Sequence, residues 1–141
     1  MGIAILDWVR RVLSGQSGDD IPEEAELAGL SIGGALQAHN AWVQRFETAL
    51  KEGSGAQLDP EQVSPDNRCI LGKWLYDPNT RERFETIPEF KALRDTHTAF
   101  HREASLVIVA LRQGNNREAQ LMLDKVKGKS RQIRVSLARL C

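Results

Sequence analysis

Cysteine and histidine are both scarce in this chain, with two of the first and three of the second among 141 residues. Two cysteines, one of them the last residue, make no disulfide framework, so a reducing cytoplasmic compartment is expected. No apolar run approaches the ~20 residues needed to span a bilayer. The N-terminus has no apolar core followed by a small-residue cleavage site, so a secretory signal is not expected either. Net charge is absent as well: 19 basic residues balance 19 acidic ones. Bulk charge therefore gives no reason to expect nucleic acid or anionic lipid as a partner. Alternating runs and β-hairpin signals are missing, which leaves little room for a sheet.

What is present has helical period. Ile5, Trp8, Val9, Val12 and Leu13 mark one face of an amphipathic helix over residues 2–13. Its few charges, Asp7, Arg10 and Arg11, do not make a polybasic membrane anchor. It is expected to dock on its own bundle, on a dimer partner or on an effector. Ser14 to Asp20 is polar and glycine-rich and reads as a flexible linker. A second helix starts near Pro22 or at Ser31. It runs through Leu36, His39, Val43, Phe46 and Leu50 to the break at Gly53-Ser54-Gly55.

The stretch to Arg68, with Pro60 and Pro65, reads as loop holding at most one short helical turn. Cys69 to Tyr76 forms a short packed helix that Asp77-Pro78-Asn79 ends. A long helix from Pro88 carries Phe90, Leu93, His97, Phe100, His101, Ala104, Val107, Ile108 and Leu111, and stops at Gly114-Asn115. A last helix spans about 116–140. The expected fold is all-α: an antiparallel bundle of three long helices plus a short cysteine-bearing one. An N-terminal helix and linker over 1–30 precede the bundle, which occupies 31–141.

The histidines stand in the apolar stripes of these helices. His97 follows Leu93 by four residues and His101 precedes Ala104 by three; His39 lies between Leu36 and Val43. Residues four apart on a helix are about 6 Å apart at Cβ, so two imidazoles there can share an ion. One buried histidine is ordinarily a core residue with a satisfied hydrogen bond. Three together need more donors than a Leu/Val/Phe core supplies, and a zinc ion would satisfy them at once. With the mid-chain Cys69 they make a complete tetrahedral donor set. That set is His39, Cys69, His97 and His101.

At these residues the sequence resembles the chemoreceptor zinc-binding domain family. The resemblance lies in His39 of His-Asn-Ala-Trp, in Arg68-Cys69-Ile70-Leu71-Gly72-Lys73-Trp74-Leu75-Tyr76, and in His97-x-x-x-His101. The intervals of 30, 28 and 4 residues match that family's three-histidine, one-cysteine site, over roughly residues 32–112. The resemblance implies chemotaxis or cyclic-di-GMP signalling as the output. It also implies a chemoreceptor or diguanylate cyclase as the partner, and dimers as a common state. No output module is read in these 141 residues, so action in trans is expected.

With sulfur bound the site is closed, and if Cys69 leaves, three histidines still hold the ion. Cys69 is therefore the expected redox-sensing residue, a thiolate being what oxidants attack. The alternative is a permanent ligand in a structural site. A metalloenzyme is disfavoured, since Thr98-Ala99-Phe100 between the histidines supplies no general base. An iron bundle would need more histidines or paired Glu-x-x-His motifs, which Glu85, Glu89 and Glu103 do not provide. Trp42 and Trp74 are expected to pack around the site, Gly72 to permit a close approach, and Lys73 to lie near the sulfur or in solvent. Asp95 and Asp124 are both available as acceptors for ligand N–H groups, with nothing to choose between them. Cys141 reads as an exposed terminal thiol. Residues 112–141 hold eight basic and two acidic residues, and residues 1–30 hold two basic and six acidic. This asymmetry reads as solvated faces without the interleaved aromatics of a nucleic-acid surface.

Overall fold

The long helices begin and end where the sequence supplies capping atoms. A computed structural model describes residues 2–16 and 20–141. The elements are α1 (Gly2–Leu13), β1 (Glu26–Leu27), β2 (Leu30–Ser31), α2 (Ile32–Glu52), α3 (Ile70–Tyr76), α4 (Pro78–Phe84), α5 (Pro88–Arg112) and α6 (Asn116–Leu140). Two 3-10 turns, Gly55–Gln57 and Pro60–Gln62, lie between α2 and α3. The fold is an all-α helical bundle.

Of the two possible starts for α2, the structure uses the later one. The Ser31 side chain caps it by accepting from the Gly34 N–H at 3.2 Å. Its end is Gly53 in the left-handed region (φ 70°), where Ser54 N–H reaches back to the Ala49 carbonyl. Asn115 caps α6 through the Glu118 N–H, and Gly114 (φ 73°) closes α5 just before it. This tight link folds α5 and α6 against each other, and α2 packs on α6. The shared core includes Ala35, Leu36, Val43 and Phe46 of α2, Leu93, Phe100 and Ile108 of α5, and Leu123, Val126 and Ile133 of α6.

The N-terminal helix docks on its own bundle. Its Trp8 is fully buried and Val12 nearly so, both in the common core, and α1 lies against α6. The opposite face leaves Leu6 about half exposed. Leu13, expected in the apolar stripe, lies on that exposed face too, because at the last residue of the helix it is turned away from Trp8 and Val12. Of the stretch read as a linker, Ser14 to Gln16 finishes α1 around Gly15 (φ 83°), with Gln16 N–H bonded to the Arg11 carbonyl. Residues 17–19 of that stretch lie outside the described residues.

Two local features differ from the reading of the sequence. A small antiparallel hairpin exists, pairing Glu26 with Ser31 and Leu27 with Leu30. Its turn puts Ala28 (φ 47°) and Gly29 (φ 87°) both at positive φ, as a two-residue primed turn requires. Alanine stands where asparagine or aspartate usually would, so the turn carried no signal. The second difference is α4. Asp77-Pro78-Asn79 ends α3 but also starts another helix. The Asp77 carboxylate accepts from the Asn79 N–H at 2.8 Å, and Pro78 sits at the first position, where no N–H is needed. The helix buries Phe84, whose ring packs with Trp74 and Phe90 at centroid distances of 5.5 and 5.7 Å.

Candidate metal centre

Three elements bring four donor atoms to one point. His39 stands in the buried stripe of α2, and His97 and His101 lie one turn apart in that of α5. Cys69 is the N-cap of α3, extended at φ −78° and ψ 168°. Its Sγ accepts from the Gly72 N–H at 3.2 Å, as the oxygen of a capping serine would. The three imidazoles are buried, while Cys69 is only partly so.

The distances fit a tetrahedral zinc site. Zn–S near 2.3 Å and Zn–N near 2.0–2.1 Å at tetrahedral angles place sulfur about 3.6 Å and nitrogen about 3.4 Å from a neighbouring nitrogen. The Cys69 Sγ lies 3.6, 3.2 and 3.5 Å from the Nε2 atoms of His39, His97 and His101. His97 and His101 Nε2 are 3.0 Å apart, and all four donor atoms lie within 4.8 Å of one another. Hydrogen bonding fixes one tautomer. His101 Nδ1–H donates to the Val63 carbonyl at 2.7 Å, which leaves Nε2 as a bare lone pair facing the other donors. The Nδ1 atoms of His39 and His97 are buried with no protein acceptor.

Electrostatics keep the imidazoles in the neutral form that a metal needs. Burial holds His39 well below the usual histidine range, and the nearby His97 and His101 push the same way. Burial takes His97 down to about 3, again with His101 adding to it. His101 is lowered by burial too, but the Val63 carbonyl and the Asp66 carboxylate oppose it. For the metal-free protein, burial pushes the Cys69 thiol up. Backbone N–H groups of Gly72, Leu71 and Cys69 itself pull it down, and Asp66 raises it further. A bound divalent cation would override this balance in favour of the thiolate.

Around this point the expected residues divide. Gly72 is placed against the loop before Cys69: a Cβ there would run into the Asp66 carbonyl and crowd the Asn67 Cα. The close approach is thus of loop to helix. Trp74 is 8% exposed and donates its indole N–H to the Ala28 carbonyl at 3.1 Å. Trp42 is half-buried one turn from His39, beside Phe46 and under the Arg45 guanidinium at 4.2 Å. Lys73 is exposed, and the charge that bears on the sulfur is that of Asp66. Asp95 faces Lys91 at 3.9 Å and Asp124 accepts from Gln120 at 3.0 Å, so neither serves the ligand N–H groups. Cys141 is exposed at the end of α6.

Three contributors were not read from the sequence. Val63 acts through its carbonyl, which has no sequence signal. Phe100 packs its ring on His39 at 4.7 Å and on His101 at 5.3 Å, but as one of many core apolar residues it did not stand out. Asp66 accepts from Tyr76 OH at 2.9 Å and from Thr98 OH at 2.7 Å, joining α3 to α5 beside the donors. Its place three residues before Cys69 was the available clue.

Comparison with known proteins agrees with this geometry. The chemoreceptor zinc-binding domain matches residues 39–108, the span from the first histidine to just past the last. Among curated proteins, DNA polymerase I of Mycobacterium bovis and that of Mycobacterium tuberculosis are 30% identical to the chain over 93 residues. That alignment covers 66% of this chain and 9% of each polymerase, so the chain spans a small fraction of those proteins. No solved structure matches. Over residues 39–108, with a three-histidine, one-cysteine cluster at its centre, the chain belongs to the chemoreceptor zinc-binding domain family.

Proposed function

We propose that this protein is a zinc-binding regulatory domain, with His39, Cys69, His97 and His101 as ligands and Cys69 as the responsive one. The trigger is a change in available zinc, or a thiol oxidant such as hypochlorous acid. The output passes to a signalling protein, a chemoreceptor or a diguanylate cyclase, in a bacterial chemotaxis or cyclic-di-GMP pathway. One observation carries this reading: the four donors are not equally held. Three are buried on long helices, whereas the sulfur is partly exposed at the start of a seven-residue helix.

When bound, zinc would cross-link the helices and keep the Cys69 sulfur as a thiolate at neutral pH. The imidazoles form a platform that does not depend on the sulfur. Cys69 can leave it with only α3 and its preceding loop moving. In the oxidant branch the thiolate sulfur forms a bond to the oxygen of hypochlorous acid. The O–Cl bond breaks and chloride departs with the electron pair. Sulfur is oxidised by two electrons to the sulfenic acid and chlorine is reduced by two. A sulfenic acid is a poorer ligand than a thiolate, so the fourth donor is lost.

The alternative is a structural zinc site in a protein-interaction module. The closed donor set favours it, since sulfur fills the position that a reactive water would need. Catalysis is the weakest reading, for the same reason. A homodimer is the assembly expected from the family. The partly exposed Leu106 and Val109 of α5 and Leu121 of α6 are apolar side chains available for it, and sedimentation equilibrium tests it.

The deciding experiment measures zinc content and Cys69 alkylation in one sample, with and without chelator and across graded hypochlorite. The sensor reading expects metal to protect Cys69 and oxidation to release that protection together with a change in helix packing. If Cys69→Ala leaves both zinc affinity and helix packing unaltered, sulfur contributes nothing at the site and the switch reading fails.

A further inference from the structure

The segment before α2 lies outside residues 39–108 and is nevertheless tied to the helix that carries Cys69. We infer that residues 21–31 form a strap that follows the position of α3, with the Trp74–Ala28 hydrogen bond as its link. The strap thereby carries the state of the site to residues outside the matched span. This rests on the sensor reading above and adds the route by which a change at Cys69 leaves the site.

The strap is a weak structure held in place from outside. Its ladder has two residues on each side, too few to persist alone. Its turn holds Ala28 at φ 47°, a conformation that L-residues with a Cβ adopt rarely. Local bonds add little: Ala25 N–H to the Pro22 carbonyl, and Ile32 N–H to the Ala25 carbonyl at 3.1 Å. The stronger ties go to the bundle. Ala25 and Leu30 are buried, and the strands lie against α2 and α3. The strained residue itself offers its carbonyl to the Trp74 indole at 3.1 Å, across 46 residues of sequence.

The other end of the link is close to the sulfur. Cys69 caps α3 and Trp74 is five residues further along the same seven-residue helix, so the two move as one short body. A helix of that length does not persist alone either. Its N-terminal half is anchored by Cys69 at the metal centre and by the buried Leu71 and Gly72, and its C-terminal half by Leu75 and by Trp74 among Phe84, Phe90 and the strap. Releasing the first anchor frees α3 to shift, and the strap loses the partner that holds its turn.

Hydrogen exchange followed by mass spectrometry on the full chain tests this. The zinc-loaded protein is compared with protein treated with chelator or with one equivalent of hypochlorite. Exchange in α3 and in residues 21–31 is expected to speed up together, by about tenfold, while α5 and α6 stay protected. Trp74→Phe keeps an aromatic ring against Phe84 and Phe90 but removes the donor. Its strap should exchange about fivefold to tenfold faster even in the zinc-loaded form, with α3 still protected. Ala28→Gly, which folds whether or not the indole bond matters, relieves the positive φ and should slow strap exchange about threefold. Opening of α3 with an unchanged strap overturns the relay and leaves the sensor reading intact. No response in α3 itself means the sensor reading has failed, and the relay with it.

Discussion

The two sides of the donor cluster are built differently. The histidine side belongs to α2 and α5, helices of 21 and 25 residues whose stripes continue into the core above and below each ring. The cysteine side consists of a loop, an N-cap and two turns of helix; it puts Val63, Leu71, Trp74 and Leu75 into the core and is tied down by a few specific contacts. These are the Val63 carbonyl on His101, the Asp66 carboxylate on Tyr76 and Thr98, and the Gly72 niche under Asp66 and Asn67. Core packing continued along 21 and 25 residues resists local opening more than the few buried side chains of a short segment, whose polar contacts can break one at a time. A site with a fixed platform and a detachable donor follows from placing its ligands on these two kinds of structure.

Removing ligands from each side should break the comparison most sharply. His97→Ala takes away one of two adjacent rings and leaves two nitrogens and the detachable sulfur, so zinc affinity is expected to fall by more than about a hundredfold. Cys69→Ala leaves three nitrogens and should cost about tenfold to a hundredfold, with zinc still bound at micromolar protein. Competition with a chromophoric chelator measures both. Equal losses would show that the sulfur is as integral as the rings. Gly72→Ala is expected to come next. A Cβ in the niche must push the Asp66–Asn67 backbone away, at a cost of about 2–4 kcal/mol in urea denaturation. The damage should be confined to the cysteine side, so zinc stays on the histidines while Cys69 alkylates faster.

The metal-free histidine side also carries a pH signature. His39, His97 and His101 are all held below their ordinary range by burial, so the unfolded chain binds protons that the folded one does not. Stability is then fully present above pH 6.5 and is lost as pH falls toward the folded values, about 3 for His97. At pH 5 the loss from His97 alone is about 2 kcal/mol. Urea midpoints of the apoprotein at pH 7.5 and 5 check the sign, and a midpoint that rises on acidification would refute it. Zinc, competing with protons for the same lone pairs, should dissociate in the same direction.

The platform was legible in the sequence because it obeys helical period. His39, His97 and His101 fall in register with Leu36, Leu93 and Ala104, so their burial and convergence follow from spacing alone. The caps at Ser31, Gly53 and Asn115 were also readable, because their chemistry is local. The cysteine side was legible only as far as Cys69 and the short helix. What holds that helix depends on a backbone carbonyl, on a carboxylate that reaches 10 and 32 residues away, and on a turn with alanine at positive φ. None of these leaves a periodic trace. Asp95 and Asp124 are candidates by sequence and Asp66 is not, because helix position can be read from a sequence and the path of an irregular loop cannot.

Asp66 and Asp95 make the smallest and most selective test of the contrast between the two sides. Both carboxylates lie close in sequence to a proposed ligand, and both accept contacts that cross a short distance. Asp95 meets Lys91 at 3.9 Å with both side chains well exposed, an arrangement worth little in water. Asp66 meets two hydroxyls at 3.0 Å or less, on two different elements, while its backbone presses on Gly72. Asp66→Ala therefore removes the tie between α3 and α5, and about 1–2 kcal/mol is expected from the lost hydrogen bonds. Because that tie holds the cysteine side onto α5 and is not part of the packing within the long helices, the change should appear chiefly as faster Cys69 alkylation in zinc-loaded protein. Exchange of α5 and α6 amides should not change. Asp95→Ala should move neither quantity, with stability within about 0.5 kcal/mol of the parent. If Asp66→Ala instead lowers protection evenly across the bundle, the two sides are one cooperative unit, and sulfur cannot leave without the histidines.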